Sequence, residues 1–284
     1  MTRIVLITGA SSGLGAELSV QLARRGDRVY ATMRNLDKKG ALEERAADCR
    51  DNLFIKRLDV QDSESIQQAV DEILAAEGRL DVLVNNAGAG FVRTTEQATE
   101  EEIQWQLDVN LMGVIRCTKA VLPSMREAGA GHVVSITSVG GLVGQPFNEI
   151  YCAAKFGVEG FMEGLASYVQ PVFGVRFTII EPGGIVSEFA NSALRQFAQG
   201  GGMKDDAYRP TLEKYIQGAQ NRADDGAYQT AEQVAKVVAD CLDMEEPPVR
   251  LRTSPWAEEF CKLKTDQDPT GRKLAQAVYE RFLG

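Results

Sequence analysis

The 284-residue chain is 44% hydrophobic and 25% charged, the balance of a soluble globular protein, and its length fits one α/β unit. A net charge of -9 with no Lys/Arg stripe argues against a nucleic-acid partner; the densest basic spots are the pairs Arg24-Arg25 and Lys38-Lys39. No apolar run approaches the roughly 18 residues of a membrane span, and one histidine with five scattered cysteines forms no metal-ligand cluster.

The apolar start at Ile4–Ile7 is too short for a secretory segment. The odd number of cysteines and the lack of C-x-x-C suit reduced thiols in the cytoplasm. In chain order, Arg3–Thr8 is predicted as a strand and Gly13–Arg25 as a helix closed by Gly26. Strand Arg28–Met33, helix Lys39–Asp48, strand Leu53–Leu58, helix Ser63–Glu77 and strand Leu80–Asn85 follow. A long helix is expected over Thr99–Glu127, kinked or frayed at Pro123. Strand His132–Thr137, helix Glu149–Val169 stopped by Pro171, and strand Val175–Ile180 complete the alternation. Sustained βαβ order implies a parallel, doubly wound sheet with helices on both faces. The rhythm then breaks. Ser187–Gln229 has no strand pattern and reads as two short helices around the polar stretch AQGGGMKDD. A helix returns at Thr230–Leu242, Val249–Thr253 is a seventh strand, and Trp256–Phe282 is mostly helical with a break at DPTG. No linker or repeat divides the chain, so residues 1–284 read as one domain.

Between the first strand and first helix stands LITGASSGLGAEL, with glycines spaced G-x-x-x-G-x-G. A strand–glycine turn–helix is the setting for a phosphate cradle: a helix N-terminus offers free N–H groups and a positive dipole end, and glycines let backbone approach the ligand. Gly9, Ser11, Ser12, Gly13, Leu14 and Gly15 are the candidate contacts. An ordinary βα turn has the same composition. The second strand ends Thr32-Met33-Arg34, with no acid to bind a ribose 2′-OH and an arginine placed for a 2′-phosphate, which favours NADP(H) over NAD. The competing role for Arg34 is a solvated surface cation.

YCAAK places Tyr151 and Lys155 four apart, on one helix face. That pattern alone arises by chance in roughly one chain in four of this composition. Its position is more telling. It opens the helix after His132–Thr137, and ligands of open α/β sheets bind beyond the carboxyl ends of the strands. A lysine ammonium lowers the pKa of a nearby phenol. Tyr151 then exchanges a proton with an alcohol oxygen, and Ser138 hydrogen-bonds the same oxygen. The plainer alternatives are a packed tyrosine and a loop-capping serine.

Taken together, Thr8-Gly9-x-x-x-Gly13-x-Gly15, Asn85-Asn86-Ala87-Gly88, Asn110, Ser138, Tyr151, Lys155 and Pro182-Gly183 resemble the short-chain dehydrogenase/reductases over about residues 3–253. The resemblance implies a Rossmann-type seven-stranded sheet and an NADP(H)-dependent carbonyl reductase or alcohol dehydrogenase. It implies that Asn110, Ser138, Tyr151 and Lys155 are catalytic, with Asn110 interrupting a helix and joining a proton relay through water. It implies that Tyr151 and Lys155 also touch cofactor, that Asp59 and Val60 hold the adenine, and that Asn86, Ala87 and Gly88 line the adenine and ribose side. Pro182, Gly183, Ile185 and Ser187 then hold the nicotinamide end; Ser187 departs from the usual threonine but keeps the hydroxyl. Homodimers or homotetramers through the two long helices are implied as well. VYATMRNLDKKGALEE, PFNEIYCAAKFGVEGF and PPVRLRTSP are similar to the hydroxysteroid and retinol dehydrogenase branch, so a bulky hydrophobic or aromatic ketone or alcohol is expected. On this reading Ser187–Gln229 is a substrate lid and 254–284 a C-terminal extension. Phe189, Leu194, Phe197, Met203, Tyr208 and Tyr215 line its pocket or form the buried face of its helices. Val143, Gln145, Pro146 and Phe147 face the same region. A non-catalytic dinucleotide sensor on the same fold is the competing function; retained Tyr151 and Lys155 speak against it.

Overall fold

Seven short strands set the architecture: β1 (Ile4–Ile7), β2 (Arg28–Met33), β3 (Leu53–Arg57), β4 (Val82–Asn85), β5 (Gly131–Ile136), β6 (Val175–Glu181) and, late in the chain, β9 (Arg250–Arg252). In the computed structural model, which describes residues 2–186 and 188–282, they form one sheet in the order β3-β2-β1-β4-β5-β6-β9. Every pairing is parallel. The order reverses beside β1, which lies between β2 and β4. That switch point is where an open α/β sheet leaves a crevice at its carboxyl edge.

The inner strands are apolar on both faces because both faces are covered. On one side Ile4, Leu6, Leu83, Val133 and Phe177 pack against α3 (Ser63–Glu77), α5 (Gly113–Ala128) and α6 (Glu149–Phe173). On the other, Val5, Ile7, Val29, Val84 and Val134 meet α1 (Gly13–Arg24) and α9 (Ala231–Leu242). Successive strand residues alternate between the two cores.

Several expected boundaries move. The segment predicted as helix Lys39–Asp48 is only α2 (Gly40–Arg45), preceded by a 3₁₀ turn at Leu36–Lys38. The long helix predicted over 99–127 is α4 (Glu100–Leu107), capped by a Thr99/Glu102 box, then a π turn at Asp108–Met112, then α5. Pro123 sits inside α5 without ending it. Pro171 does not stop α6 either; the helix runs to Phe173 and ends at Gly174, whose φ of 72° makes the left-handed cap. A proline this near a helix end removes one backbone bond, and burial of Val169 on the core side holds the turn. The segment after β6 holds α7 (Glu188–Gln199) and α8 (Arg209–Asp224), as expected, but also two strands that were not. β7 (Ile185–Val186) and β8 (Gln229–Thr230) pair in parallel at its two ends. Two residues carry no period, so such strands leave no trace in a hydrophobic pattern. The chain closes with α10 (Pro255–Thr265) and α11 (Arg272–Phe282).

The lone histidine lies at the amino edge of the sheet. His132 is buried, its Nε2 is 2.9 Å from Thr178 Oγ1, and Thr178 donates to Pro248 O at 2.8 Å. Burial, with Arg176 and Arg3 adding repulsion, pushes its pKa from 6.5 down to about 3. The folded state therefore keeps it neutral where the unfolded chain protonates it. Its contribution to stability is complete above pH 6.5 and is lost as pH falls from there toward about 3. We expect His132→Gln to flatten the acid-side stability slope, by up to about 1.4 kcal/mol per pH unit in that window. Urea unfolding of parent and variant at pH 7 and pH 5 tests this; parallel losses in both proteins would contradict it.

Candidate active site

The turn between β1 and α1 is built so that only glycine fits. Gly9 has φ 71°, and a Cβ on it would lie 2.7 Å from the Ala87 Cα. Gly13 has φ 57°. A Cβ on Gly15 would collide with the Asn86 amide. Asn86 braces this turn: its Nδ2 donates to Thr8 O at 2.9 Å and Gly9 O at 3.0 Å. Thr8 Oγ1 accepts the backbone N–H of Asn86 and Ala87 at 3.1 and 3.0 Å. The side chain of Asn86 is thus spent on shaping the loop.

Ser12 is the N-cap of α1, yet its side chain makes no capping bond, so the first amides of α1 keep their donors. Leu14 is buried in the sheet-side core beneath them. Arg34 follows β2, is exposed, and has no hydrogen-bond or ion-pair partner among the described residues. Past β3, Asp59 Oδ1 accepts the Gln61 N–H at 3.1 Å, and the Val60 side chain packs on Gly113 at the base of α5.

Ser138, Tyr151 and Lys155 are brought together at the carboxyl end of β5. Lys155 is 4% exposed; its Nζ donates to Ile136 O at 2.9 Å and lies 5.7 Å from the Tyr151 ring centre. Burial lowers its pKa from 10.5 to about 8. Ser138 Oγ accepts the Gly140 N–H at 3.0 Å, so the capping role foreseen as an alternative is real and coexists with contact to Tyr151. Asn110 sits on the π turn, fully buried, with its amide tied to Ala89 O (3.0 Å), Gln106 O (3.2 Å) and the Ala89 N–H (3.1 Å). Gly88 is the slot between them: a Cβ there would be 2.8 Å from Asn110 Oδ1 and 3.7 Å from Lys155 Nζ.

One expectation is reversed. The Tyr151 phenol is not made more acidic here; burial raises its pKa, the Ser138 hydrogen bond opposes this, and Cys152 adds to the rise. Phe189 of α7 stands edge-on to its ring at 6.1 Å, and Lys155 is itself desolvated. Burial thus favours the neutral phenol in this structure.

The residues expected at the substrate do not form one wall. Phe189 meets the Tyr151 ring. Phe147, with a left-handed φ of 60°, is buried with Phe197 and Leu212, and Met203 and Tyr215 pack on that cluster. Leu194 and Tyr208 are exposed, and Tyr208 donates to Glu96 at 2.6 Å. Val143 packs instead toward α10, with Val139, Leu142 and Ala257, while Gln145 stays near Gly140. At the end of β6, Val139 N–H donates to Pro182 O at 2.8 Å, a Cβ on Gly183 would lie 2.9 Å from Trp256, and Ile185 begins β7. Ser187 lies outside the described residues.

Sequence reasoning missed Arg93. It is 5% exposed, and its guanidinium donates to Phe197 O and Glu102 Oε1, both at 3.2 Å, while covering the Phe197 ring. It clasps α7 to the body, and nothing in a lone arginine after NNAG signals burial.

A glycine cradle at the sheet's switch point, with a serine–tyrosine–lysine set at the end of β5, is matched by a family model. The model, described as short chain dehydrogenase, covers residues 3–197. The chain belongs to the short-chain dehydrogenase family. This dehydrogenase is 40% identical over 275 residues to bovine (Bos taurus) retinol dehydrogenase 8, covering 95% of the chain and 86% of the relative. It is 37% identical to human (Homo sapiens) 17-beta-hydroxysteroid dehydrogenase type 1, covering 99% and 86%. Among solved structures, a variant of actinorhodin polyketide ketoreductase with NADPH superposes with a TM-score of 0.73 at 28% identity, covering 84% of this chain and 89% of that one. Among the described residues, no helix of the dehydrogenase is long and apolar enough to cross a membrane.

Proposed function

We propose that this oxidoreductase uses NADP(H) to interconvert a ketone or aldehyde with an alcohol, and that its substrate is bulky and hydrophobic. The observation that carries the reading is the convergence of Ser138, Tyr151 and Lys155 beside the glycine cradle. Bound there, the cofactor supplies or accepts hydride. The cradle fits it: no side chain can occupy Gly9 or Gly15, the α1 amides are uncapped, and Arg34 is unpaired. Gly9, Ser11, Ser12, Gly13, Leu14 and Gly15 would surround the phosphates, with Asp59 and Val60 at the adenine. Asn86, Ala87, Gly88, Pro182, Gly183, Ile185 and Ser187 would follow its length to the nicotinamide end. The chain's own chemistry is a proton transfer. Ser138 orients the substrate oxygen, Tyr151 donates the proton in the reducing direction, and the Lys155 ammonium lowers the charge barrier as the phenolate forms. Asn110 holds the Ala89 backbone beside them.

Residues 187–229 act as a lid of the same domain, with Phe189 above Tyr151, and 254–284 form its C-terminal extension. Val143, Gln145 and Phe147 then shape the approach more than they touch substrate. The retinol and hydroxysteroid dehydrogenase relatives support a second, narrower reading, a polycyclic or polyene alcohol. A dimer or tetramer through α5 and α6 and a cytoplasmic location complete the proposal. A panel of hydrophobic ketones and alcohols with NADPH, NADP, NADH and NAD tests it by absorbance at the nicotinamide band. Cofactor binding without turnover on any substrate would favour the dinucleotide sensor instead.

Arg34 reads the 2′-phosphate in this scheme. Arg34→Asp replaces attraction by repulsion and is expected to shift the NADPH/NADH ratio of kcat/KM by about 100-fold or more toward NADH. An unchanged ratio would mean that another residue reads the phosphate.

A further inference from the structure

Glu159 lies one helical turn beyond Lys155, where a Lys-x-x-x-Glu pair on a helix surface makes an ion pair. Here it does not. Lys155 Nζ donates to Ile136 O, and Glu159 turns inward and is 5% exposed. Its Oε1 accepts from Thr137 Oγ1 at 2.6 Å. The same carboxyl presses on the turn that follows Ser138, since a Cβ on Gly141 would be 2.8 Å from Oε1. Across from it stands Glu181 at the end of β6, fully buried, its Oε2 holding Arg252 Nη1 at 2.9 Å. Arg252 also donates to Glu258 of α10 at 2.8 Å and to Pro269 O, before α11, at 2.6 Å.

Read as two carboxylates, this pair leaves Glu159 Oε2 and Glu181 Oε1 buried with no partner. Two adjacent buried carboxylates disfavour a second charge, and one proton shared between these two side chains, which are in contact, would give their orphaned oxygens a partner. Glu181 carries the guanidinium, so the proton rests on Glu159 and is donated to Glu181. Burial, with the Glu181 charge beside it, pushes the Glu159 pKa up; burial raises that of Glu181 as well, opposed by Arg252, Arg250 and the contact with Glu159. Glu163, paired with Arg250 at 3.2 Å, and Lys155 are further charged groups near this part of α6.

We propose that Glu159 is a positioning residue: as a carboxylic acid bonded to Glu181, it locks the Ser138 turn and the Lys155 helix turn in register and links them to the C-terminal helices through Arg252. This rests on Ser138 and Lys155 being the reacting pair. The carboxylic-acid state does not, and it is tested separately.

Infrared spectra of the purified protein at pH 7 are expected to show a buried carboxylic-acid carbonyl band that shifts in D2O and is lost in Glu159→Gln. Glutamine keeps the acceptor for Thr137 and a donor for Glu181. It is expected to retain about a third or more of kcat, with the pH limb of Lys155 in place, whereas Glu159→Leu loses about 10-fold or more in kcat with little change in the NADPH KM. No band lost in Glu159→Gln would overturn the shared proton. A Lys155 limb displaced in Glu159→Gln would show that a negative charge, not an acid, stands beside the lysine, and would overturn it equally. Parent-like kcat in Glu159→Leu would remove the positioning role. If Glu159→Leu does not fold, the Glu159→Gln profile and the infrared band still decide. If no substrate is turned over at all, the band alone judges the acid pair, and the failure belongs to the proposed reaction.

Discussion

Tyr151→Phe is expected to fold and to bind NADPH like the parent while turnover falls by about 10²- to 10⁴-fold. The phenol hydroxyl is the only part removed. The ring that meets Phe189 edge-on, and over whose face Lys155 sits, remains in place. Because burial keeps Tyr151 protonated, the loss falls on proton donation and appears in kcat rather than in the KM for cofactor. Steady-state kinetics with the best ketone of the panel, beside fluorescence titration of NADPH, measures both. Retained turnover would take the tyrosine out of the reaction. Loss of NADPH binding would instead make it a cofactor residue first.

The second large effect is on stability. Arg252→Met leaves Glu181 as an unpaired carboxylate at a site with no solvent exposure, beside the Glu159 acid. Removing one partner of a buried pair costs about 3–5 kcal/mol, more than the pair itself contributes. Arg252 also anchors α10 and the turn before α11, so the C-terminal helices are expected to loosen along with the sheet edge at β9. Urea unfolding gives the loss as a lower midpoint, and hydrogen exchange locates it at α10 and α11 first. A midpoint equal to the parent's would show that Glu181 takes up a proton at little cost. The double variant Arg252→Met/Glu181→Met, which removes both charges, is expected to recover the part of the loss that comes from the unpaired Glu181 charge.

What could be read from the sequence and what could not divide along physical lines. The doubly wound sheet was legible because β1, β4, β5 and β6 are buried on both sides, and that leaves unbroken apolar runs such as Ile4–Ile7. The glycine turn was legible because Gly9 and Gly15 leave no room for a Cβ. Ser138, Tyr151 and Lys155 were legible as a spaced set at the end of a strand. Three kinds of feature were not. The π turn around Asn110 is specified by what its amide bonds to, the Ala89 backbone 21 residues earlier, and no local pattern encodes that. The raised pKa of Tyr151 comes from its burial, which is a matter of tertiary packing. Glu159, Glu181 and Arg252 look like surface charges in a list of residues. Only the meeting of α6, β6 and β9 turns them into one buried group. Pro171 misled for a related reason: a proline's local penalty was outweighed by the burial of the helix that contains it.

The two-residue strands β7 and β8 bear on how this protein could acquire new specificity. Ile185 faces Gln229 and Val186 faces Thr230, and the Gln229 N–H donates to Gly184 O at 3.0 Å. Neighbouring strands stand roughly 5 Å apart, so everything between Val186 and Gln229 leaves and re-enters the body at nearly one point. A segment closed in this way can change length at little entropic expense, since loop closure depends only weakly on the number of residues enclosed. The ribbon works as a socket. Exchanging α7 and α8 for another pair of helices would alter what rests on Tyr151 while leaving the sheet, the glycine turn and the Glu181–Arg252 anchor untouched.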